Sequence, residues 1–251
     1  MIKNITYIWA HRGASGYVTD NTIDGFKLAI DMGADGIESD IYLTRDGIAI
    51  MYHERHIVHN GRKYRPFNLT WEQIQKIKLD QKGRRVPLLS EVLEKFKNVK
   101  NKNGELVSFS LDISGPKTGY KIIDIANDLD MCERVELTFD NYNLYRKYRQ
   151  YDDNIVLVDS AKINWWKKFS RRIFHQNFRK LEKFNVKAVN LKAEDCTDEY
   201  IEDVRNHGFE IYVWDCHDEE TMRKFIGKNV DAIYTNYPDT AVKIRSAIQT
   251  E

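Results

Sequence analysis

Short apolar runs of strand length alternate with helix-like patterns along almost the whole chain of 251 residues. The first half contains, in order, ITYIWA, TIDGFKLAIDM, DGIESDIYL, GIAIMYH, LLSEVLEKFKNV, LVSFSLDI and YKIIDIANDL, and the second half continues the alternation as far as TAVKIRSAI. Strands that alternate with helices predict a parallel sheet with helical crossovers. The number of units predicts a somewhat irregular eight-stranded (β/α)8 barrel of the TIM type, with a doubly wound sheet as the alternative.

We expect residues 1–251 to form one domain, with a small irregular insertion at about residues 54–87, after the third strand. The chain has only four prolines, and no low-complexity linker interrupts it. Long segments without regular structure are uncommon inside compact domains, so this segment is treated as an insertion and not as a linker.

Charge and cysteine content narrow the class of protein. The formal net charge of +1 gives no overall field that would attract a polyanion, so we expect small-molecule ligands and no nucleic acid. Three cysteines without a CxxC pair argue against a disulfide framework and against a cysteine-rich zinc site. The N-terminal segment lacks the apolar stretch of a signal peptide, and we expect a cytoplasmic protein. The oligomeric state stays unknown from the sequence.

Two polar residues follow the first predicted strand. In AHRGASGYVTDNT, His11 and Arg12 come directly after the apolar run, and Asn21 or Thr22 is placed to cap the next helix. A (β/α) barrel builds its site from the C-terminal ends of its strands and the loops that follow them. His11 and Arg12 are therefore candidate site residues, the alternative being that His11 is packed in the core.

Three acids occupy comparable places on two later strands. The alternation in DGIESDIYL places Glu38 and Asp40 on one face, and Asp112 ends the strand in VSFSLDISG. Neighbouring carboxylates repel each other and raise each other's pKa, a cost that a bound cation offsets. Carboxylate oxygens suit Mg²⁺ or Ca²⁺. The alternatives are solvated carboxylates for Glu38 and Asp40 and a turn residue for Asp112.

A hairpin is predicted directly after the acidic strand. In LTRDGIAIMYH, Asp46 and Gly47 stand between two apolar runs, which is a strong signal for a two-residue turn. With these two residues at the centre of the turn, Asp40 lies opposite His53, and such cross-strand neighbours are roughly 5 Å apart. This register would bring an imidazole to the carboxylates, the alternative being a surface histidine. A hairpin departs from a regular barrel, in which crossovers join adjacent strands.

Taken together, HRGASGYVTDNT, GADGIESDIYLTRDGIAIMYHE, VPLLSEVL, YVWDC and VDAIYTNYPD resemble the glycerophosphodiester phosphodiesterase family. The resemblance implies a (β/α) barrel that uses one divalent cation, Mg²⁺ or Ca²⁺, to hydrolyse a small-molecule glycerophosphodiester to glycerol 3-phosphate and an alcohol. Carried over by motif, it implies a catalytic pair, a phosphate-binding arginine and two metal ligands: His11 with His53, Arg12, and Glu38 with Asp40.

The chain departs from the family pattern at several positions. Where the family commonly has Glu-x-Lys, this chain has Asp112, Ile113 and Ser114, so Asp112 is the candidate third ligand and the lysine is missing. Lys192, after AVNL, is a candidate replacement for that cation, the alternative being a solvated lysine. Trp214 is a candidate wall of the substrate site, or a core residue. The segment TNYPD, where the family usually has Thr-Asp-Tyr-Pro, is interpreted as structural.

Two alternative functions and a possible membrane element stay open from the sequence. Asp112 resembles the corresponding acid of sphingomyelinase D-type phospholipases, which suggests phospholipase D-like activity on lysolipids or sphingolipids. The missing lysine suggests a non-catalytic phosphoester-binding protein, although paired histidines favour chemistry. The segment INWWKKFSRRIFHQNFRKLEK mixes aromatic and basic residues, so membrane contact is an alternative to the favoured interpretation, a barrel helix with a basic outer face.

Overall fold

Parallel strands close into a barrel in the computed structural model, which describes residues 5–59, 61–161 and 177–249. The strands within these ranges are β1 (Tyr7–His11), β2 (Gly36–Leu43), β3 (Ala49–Met51), β4 (Ile57–His59), β5 (Arg62–Tyr64), β6 (Ser108–Ile113), β7 (Val135–Phe139), β8 (Val156–Ser160), β9 (Ala188–Lys192), β10 (Glu210–Trp214) and β11 (Ala232–Thr235). Eight of them follow the order β1-β11-β10-β9-β8-β7-β6-β2, and β2 pairs again with β1. The predicted (β/α) barrel is confirmed, and the doubly wound sheet is wrong because this ring has no edge strand.

Helices connect the barrel strands on the outside. Those described are α1 (Ile23–Met32), α2 (Trp71–Ile74), α3 (Leu89–Phe96), α4 (Pro116–Asp128), α5 (Tyr142–Tyr151), α6 (Phe178–Lys183), α7 (Asp198–Asn206), α8 (Glu219–Gly227) and α9 (Pro238–Gln249). The predicted cap of α1 is confirmed for Thr22, whose side chain accepts a hydrogen bond from the Gly25 N–H. The helix ends at Gly33, which adopts φ 104°, a left-handed conformation that glycine reaches without steric cost.

The hairpin predicted after the acidic strand is confirmed, but its turn has a different form. Strands β2 and β3 pair antiparallel, and the Thr44 N–H donates to the Ile48 carbonyl over 2.9 Å. The Gly47 N–H also donates to the Thr44 carbonyl, and Gly47 has φ 79°. Three residues, not two, therefore separate the paired strands, as in a type I turn followed by a glycine bulge.

The extra turn residue shifts the register of the hairpin by one position. Ile41 lies opposite Met51, and the Tyr52 N–H donates to the Asp40 carbonyl over 3.0 Å. The prediction that Asp40 lies directly opposite His53 is therefore wrong, because Tyr52 takes that place. His53 follows one residue later, beyond the end of β3.

Residues 54–59 and 61–87 form a small unit beside the barrel, in the segment that the sequence analysis treats as an insertion. Strands β4 and β5 form an antiparallel pair, and the short helix α2 follows them. Ile57, Leu69, Ile74 and Val86 pack with Ile50 of β3 in a cluster of their own. The unit is thus attached through the outer face of the β2–β3 hairpin.

Alternation along the strands separates two layers of packing. In β1, Ile8 and Ala10 belong to the large core that also contains helix residues, whereas Trp9 packs with Tyr212 and Tyr234 in a second cluster. Side chains of odd number in β1 therefore point into the barrel, as the period of two requires. This interior is filled by aromatic rings, with Trp9 stacked on Tyr234 at 6.0 Å between ring centroids.

The last helix is tied to the barrel by a buried ion pair. Arg245 of α9 donates to Asp35, which directly precedes β2, and Asp35 Oδ2 also accepts from the Ile8 N–H over 2.8 Å.

Over the described part of the chain, no helix has the length and apolar character needed to cross a bilayer.

The predicted aromatic and basic segment is described only at its end. Trp165, Trp166, Phe169 and Phe174 lie outside the described residues. Within α6, Phe178 and Leu181 are buried and the basic residues are exposed. The described end of the segment is therefore a barrel helix with a basic outer face, and for the rest of the segment the favoured interpretation stays a prediction.

Candidate active site

The ends of β1 and β2 bring the first histidine to the first acid. The strand register places His11 beside Glu38, and their side chains approach to 3.9 Å between Nε2 and Oε2. The Arg12 N–H donates to Glu38 Oε2 over 3.0 Å. Arg12 itself has φ 58°, a left-handed conformation that is uncommon for a non-glycine residue and costs energy.

The second and third acids are register neighbours on β2 and β6. Asp40 lies beside Asp112 across the parallel ladder. Burial raises the pKa of Asp112 to about 8, with repulsion by Asp40 adding to the effect. Burial also raises the pKa of Glu38 well above its usual value, again with contributions from the other two acids. Burial and mutual repulsion therefore both disfavour the ionised forms of these acids in the absence of a cation.

One arginine lies among these acids. Its Nε is 3.7 Å from Asp40 Oδ2, and its Nη1 is 3.7 Å from Asp20 Oδ2. Both Arg12 Nε and Asp40 Oδ2 are buried without a hydrogen-bond partner. Buried polar atoms normally have partners, so these two mark a place where a bound group would complete the interactions.

The donor set fits a hard divalent cation. Glu38, Asp40 and Asp112 offer only oxygen ligands, which Mg²⁺ and Ca²⁺ prefer, and Asp40 Oδ2 has no hydrogen-bond partner. Across residues 5–59, 61–161 and 177–249, however, no three His, Cys, Asp or Glu side chains are positioned so that they could hold a metal ion. The chemistry of the donors therefore fits, whereas their positions do not form a finished coordination site.

The second histidine comes from the hairpin. His53 follows β3, is about one-third exposed, and has its Nδ1 3.2 Å from Glu54 Oε1. Burial raises the pKa of Asp40, and a positive charge on His53 opposes that rise more strongly than Arg12 does. His53 also contributes to lowering the pKa of His11. Although the predicted cross-strand pairing is wrong, His53 is close enough to act electrostatically on both groups.

Two residues that the sequence reasoning missed lie against His11. Its Nδ1 is 2.7 Å from Asn236 Oδ1, and its ring stacks on that of His217 with centroids 5.3 Å apart. Asn236 belongs to the segment that was interpreted as structural. Asn236 directly follows β11, and His217 lies in the loop after β10, so the strand-end rule that found His11 also applies to them.

Lys192 and Trp214 lie together on the other side of the barrel mouth. The Lys192 ammonium is 2.6 Å from Glu194 Oε1 and 3.5 Å from Asp215 Oδ2, and it stands 5.7 Å from the centroid of the Trp214 ring. Trp214 is 37% exposed, so the alternative of a core residue is wrong. Within the part of the chain that the structure describes, the ion pairs of Lys192 are with these local carboxylates and not with the three acids on β2 and β6.

A cavity of about 530 Å³ opens beside Arg12. It is lined by Arg12, Ser15, Gly16, Tyr17, Val18, Thr19, Asp20 and Asn236. The loop after β1 forms most of its wall, and Arg12 and Asn236 connect it with the histidine and the acids. The cavity is open and has a polar lining, and the guanidinium of Arg12 in its wall suits a small charged ester.

Comparison with known proteins decides the family. The profile of the Glycerophosphoryl diester phosphodiesterase family matches residues 11–240. The chain belongs to this family. The predicted resemblance is confirmed, and membership makes the chain an enzyme, a phosphoric diester hydrolase of the glycerophosphodiester class.

Individual relatives agree with this family over almost their full length. A glycerophosphodiester phosphodiesterase of Caldanaerobacter subterraneus is 27% identical, over 95% of this chain and 97% of its own. A solved Thermotoga maritima glycerophosphodiester phosphodiesterase superposes with a TM-score of 0.75 at 21% identity, covering 95% of this chain and 98% of that one. A phosphodiesterase of Oleispira antarctica, solved with the product sn-glycerol-3-phosphate, has a TM-score of 0.79 at 16% identity and 96% coverage of both chains. At these identities the structures establish the fold.

Proposed function

We propose that this phosphodiesterase hydrolyses glycerophosphodiesters to glycerol 3-phosphate and an alcohol, using His11 and His53 for proton transfer and one divalent cation for charge stabilisation. The observation that carries the proposal is the grouping of His11, Arg12 and three carboxylates at the ends of β1, β2 and β6. The sn-glycerol-3-phosphate bound by the Oleispira antarctica phosphodiesterase, which has the same fold, supports this substrate class.

The substrate brings a negative charge that must be neutralised. Arg12 presents a buried Nε without a hydrogen-bond partner, next to the cavity. A guanidinium donates two parallel hydrogen bonds to phosphate oxygens, so Arg12 is suited to bind and orient the diester. Its charge also opposes the negative charge that builds up on the phosphoryl oxygens in the transition state.

Glu38, Asp40 and Asp112 would hold the cation. When bound, a divalent cation polarises the non-bridging oxygens and stabilises the charge of the transition state. Support comes from the pKa values of Glu38 and Asp112, which burial and mutual repulsion raise, and from the unpartnered Oδ2 of Asp40. Mg²⁺ and Ca²⁺ are both compatible with an all-oxygen donor set.

The two histidines divide the proton transfers. One accepts a proton from the nucleophile, and the other donates a proton to the oxygen of the leaving alcohol. Each transfer contributes about 10²- to 10⁴-fold to the rate. Burial, together with the neighbouring Arg12, lowers the pKa of His11 to about 3, so its imidazole is neutral near pH 7.

The test is release of glycerol 3-phosphate from glycerophosphocholine, followed with a coupled dehydrogenase. We expect His11→Ala and His53→Ala each to lower kcat by about 10²-fold or more. His56→Ala is the matched control, because His56 is an exposed histidine of the same segment. Wild-type rates in both site variants, with circular dichroism unchanged, would show that the assignment of proton transfer is wrong.

The cation and the substrate class are tested separately. Chelation followed by dialysis should abolish turnover, and Mg²⁺, Ca²⁺ or Mn²⁺ should restore it. Calorimetric titration of the apoprotein with each ion should give one site, which Asp40→Asn weakens. Full activity in metal-free protein would overturn the cation proposal. A preference for lysophosphatidylcholine over glycerophosphocholine would instead support the phospholipase D-like alternative.

A further inference from the structure

Asn236 contacts two imidazole rings, that of His11 at the end of β1 and that of His217 in the loop after β10. Its side-chain Oδ1 lies 2.7 Å from His11 Nδ1, and its backbone N–H donates to His217 Nδ1 over 3.3 Å. The two rings stack with an interplanar angle of 26°. One residue thus holds two histidines, through two different groups.

Asn236 is itself held by the loop that carries Arg12. The Ser15 hydroxyl lies 2.8 Å from Asn236 Oδ1 and 2.8 Å from the His11 carbonyl oxygen. The Gly16 N–H donates to the Asn236 carbonyl over 3.1 Å. Because its side chain and its backbone are both bonded to this loop, Asn236 is fixed relative to His11.

This contact determines which ring nitrogen of His11 carries the proton. A carbonyl oxygen only accepts hydrogen bonds, so the His11 ring is the donor in its contact with Asn236 Oδ1. Nδ1 of His11 is then the protonated nitrogen, and Nε2 keeps its lone pair. Nε2 is the nitrogen that faces Glu38 Oε2 at 3.9 Å, on the side where the phosphodiester is proposed to bind.

His217 limits the motion of the His11 ring. Its Nδ1 accepts from the Asn236 N–H, so the proton of its neutral form is on Nε2, 3.4 Å from Asp215 Oδ1. With Nδ1 bonded to Asn236 and Nε2 beside Asp215, the His217 ring forms a flat surface against which His11 stacks. Rotation of His11 would therefore break the bond to Asn236 and lose the stacking contact.

We propose that Asn236 is a positioning residue that fixes the tautomer and the ring orientation of His11, so that Nε2 is free to exchange a proton with the substrate. This role rests on the proposed function of His11. It requires no contact between Asn236 and the substrate, and it assigns a task in the reaction to the segment after β11.

Kinetics of three variants test the role. Asn236→Ala and Asn236→Leu remove the acceptor, and we expect kcat to fall about 10- to 100-fold, as for other residues that orient a functional histidine, while KM changes less than about threefold. Asn236→Asp keeps an acceptor and should retain kcat within about fivefold. Asn154→Ala, an exposed asparagine beyond α5, is the control. Wild-type kcat in Asn236→Ala, or equal losses in Asp and Leu variants, would overturn the proposal.

The tautomer is measured directly by long-range ¹H–¹⁵N correlation spectra of histidine side chains, with His11 assigned from its loss in His11→Ala. The expected spectrum shows the Nδ1-protonated form in the wild type and in Asn236→Asp, and a mixture of tautomers in Asn236→Ala. Protonation at Nε2 in the wild type would refute the proposal. This measurement needs no substrate, so it is independent of whether the proposed hydrolysis is correct.

Discussion

Replacing Gly36 with alanine should disturb the barrel two residues before the active site. Gly36 is the register partner of Trp9, and a Cβ at this position would lie 2.4 Å from Trp9 Cζ3 and 2.9 Å from the Ser108 carbonyl oxygen. Carbon atoms in contact lie about 3.5–4.0 Å apart, so the added Cβ would overlap the indole by about 1.1 Å or more.

Neither neighbour can move away at low cost. Trp9 is 2% exposed and stacks on Tyr234, and its centroid lies 4.6 Å from that of Tyr7. The Ser108 oxygen belongs to the backbone of β6, which pairs with β2. Overpacking of this kind costs about 1–3 kcal/mol, and the two fixed neighbours place this case near the upper end.

Gly36→Ala should lower both the thermal stability and the activity of the enzyme. A loss of about 2–3 kcal/mol corresponds to a fall in Tm of about 4–12 °C for a chain of this size. The pair His11 and Glu38 lies two positions further along the same two strands, so a displacement of β1 against β2 also reaches the site. A shift near 1 Å there lowers kcat by up to ~10²-fold.

The assay is thermal and urea unfolding followed by circular dichroism, with kcat measured on the same preparations. Gly227→Ala is the control, because no atom lies within 4 Å of a Cβ at that helix end. We expect this control to stay within about 1 kcal/mol of the wild type. If Gly36→Ala melts within 1 °C (about 0.5 kcal/mol) of the wild type, the close approach of Trp9 does not constrain the barrel as argued.

Two further predictions concern buried groups. Arg245→Met leaves the carboxylate of Asp35 buried without its cation and should lower the free energy of unfolding by about 3–5 kcal/mol near pH 7. Because burial raises the pKa of Asp35, protonation should reduce this deficit as the pH falls, and a deficit independent of pH would contradict the reasoning. Burial raises the pKa of Cys132 and of Cys196 to about 11 and that of Cys216 well above its usual value, so the thiols are protonated at pH 8. All three should react slowly with Ellman's reagent in the native enzyme and rapidly in denaturant, and a fast-reacting thiol in the native state would refute this.

The periodic pattern of the sequence was sufficient to predict the barrel. Alternation within β2 correctly placed Glu38 and Asp40 on one face, because side-chain direction in a strand depends only on the period of two. The hairpin was also predicted, but its register was wrong by one position. The dipeptide formed by Asp46 and Gly47 is compatible with a two-residue turn and with a three-residue turn that has a glycine bulge. Only the pairing of the strands distinguishes these two turns.

The contacts of the loops were not predictable in the same way. Lys192 was correctly placed at a strand end, but its partners Glu194 and Asp215 come from two loops that are distant in sequence from the acids on β2. Asp215 also adopts φ 69°, a left-handed conformation that no local pattern indicates. Asn236 was overlooked because its contact with His11 joins the two ends of the chain, 225 positions apart.

The site therefore has two parts that differ in how firmly they are held. The register of β1, β2 and β6 fixes His11 and the three acids through backbone hydrogen bonds of the closed sheet, and Asn236 adds a further bond to His11. His53, by contrast, stands on a loop beyond β3 and bonds only to its exposed neighbour Glu54 among the contacts described. An exposed pair of this kind contributes about 0–1 kcal/mol, which does not fix an imidazole against thermal motion. The residues that we propose to bind charge are consequently built into the barrel before substrate arrives, whereas His53, the second of the proposed proton-transfer groups, depends on the substrate, or on a bound cation, to complete its position.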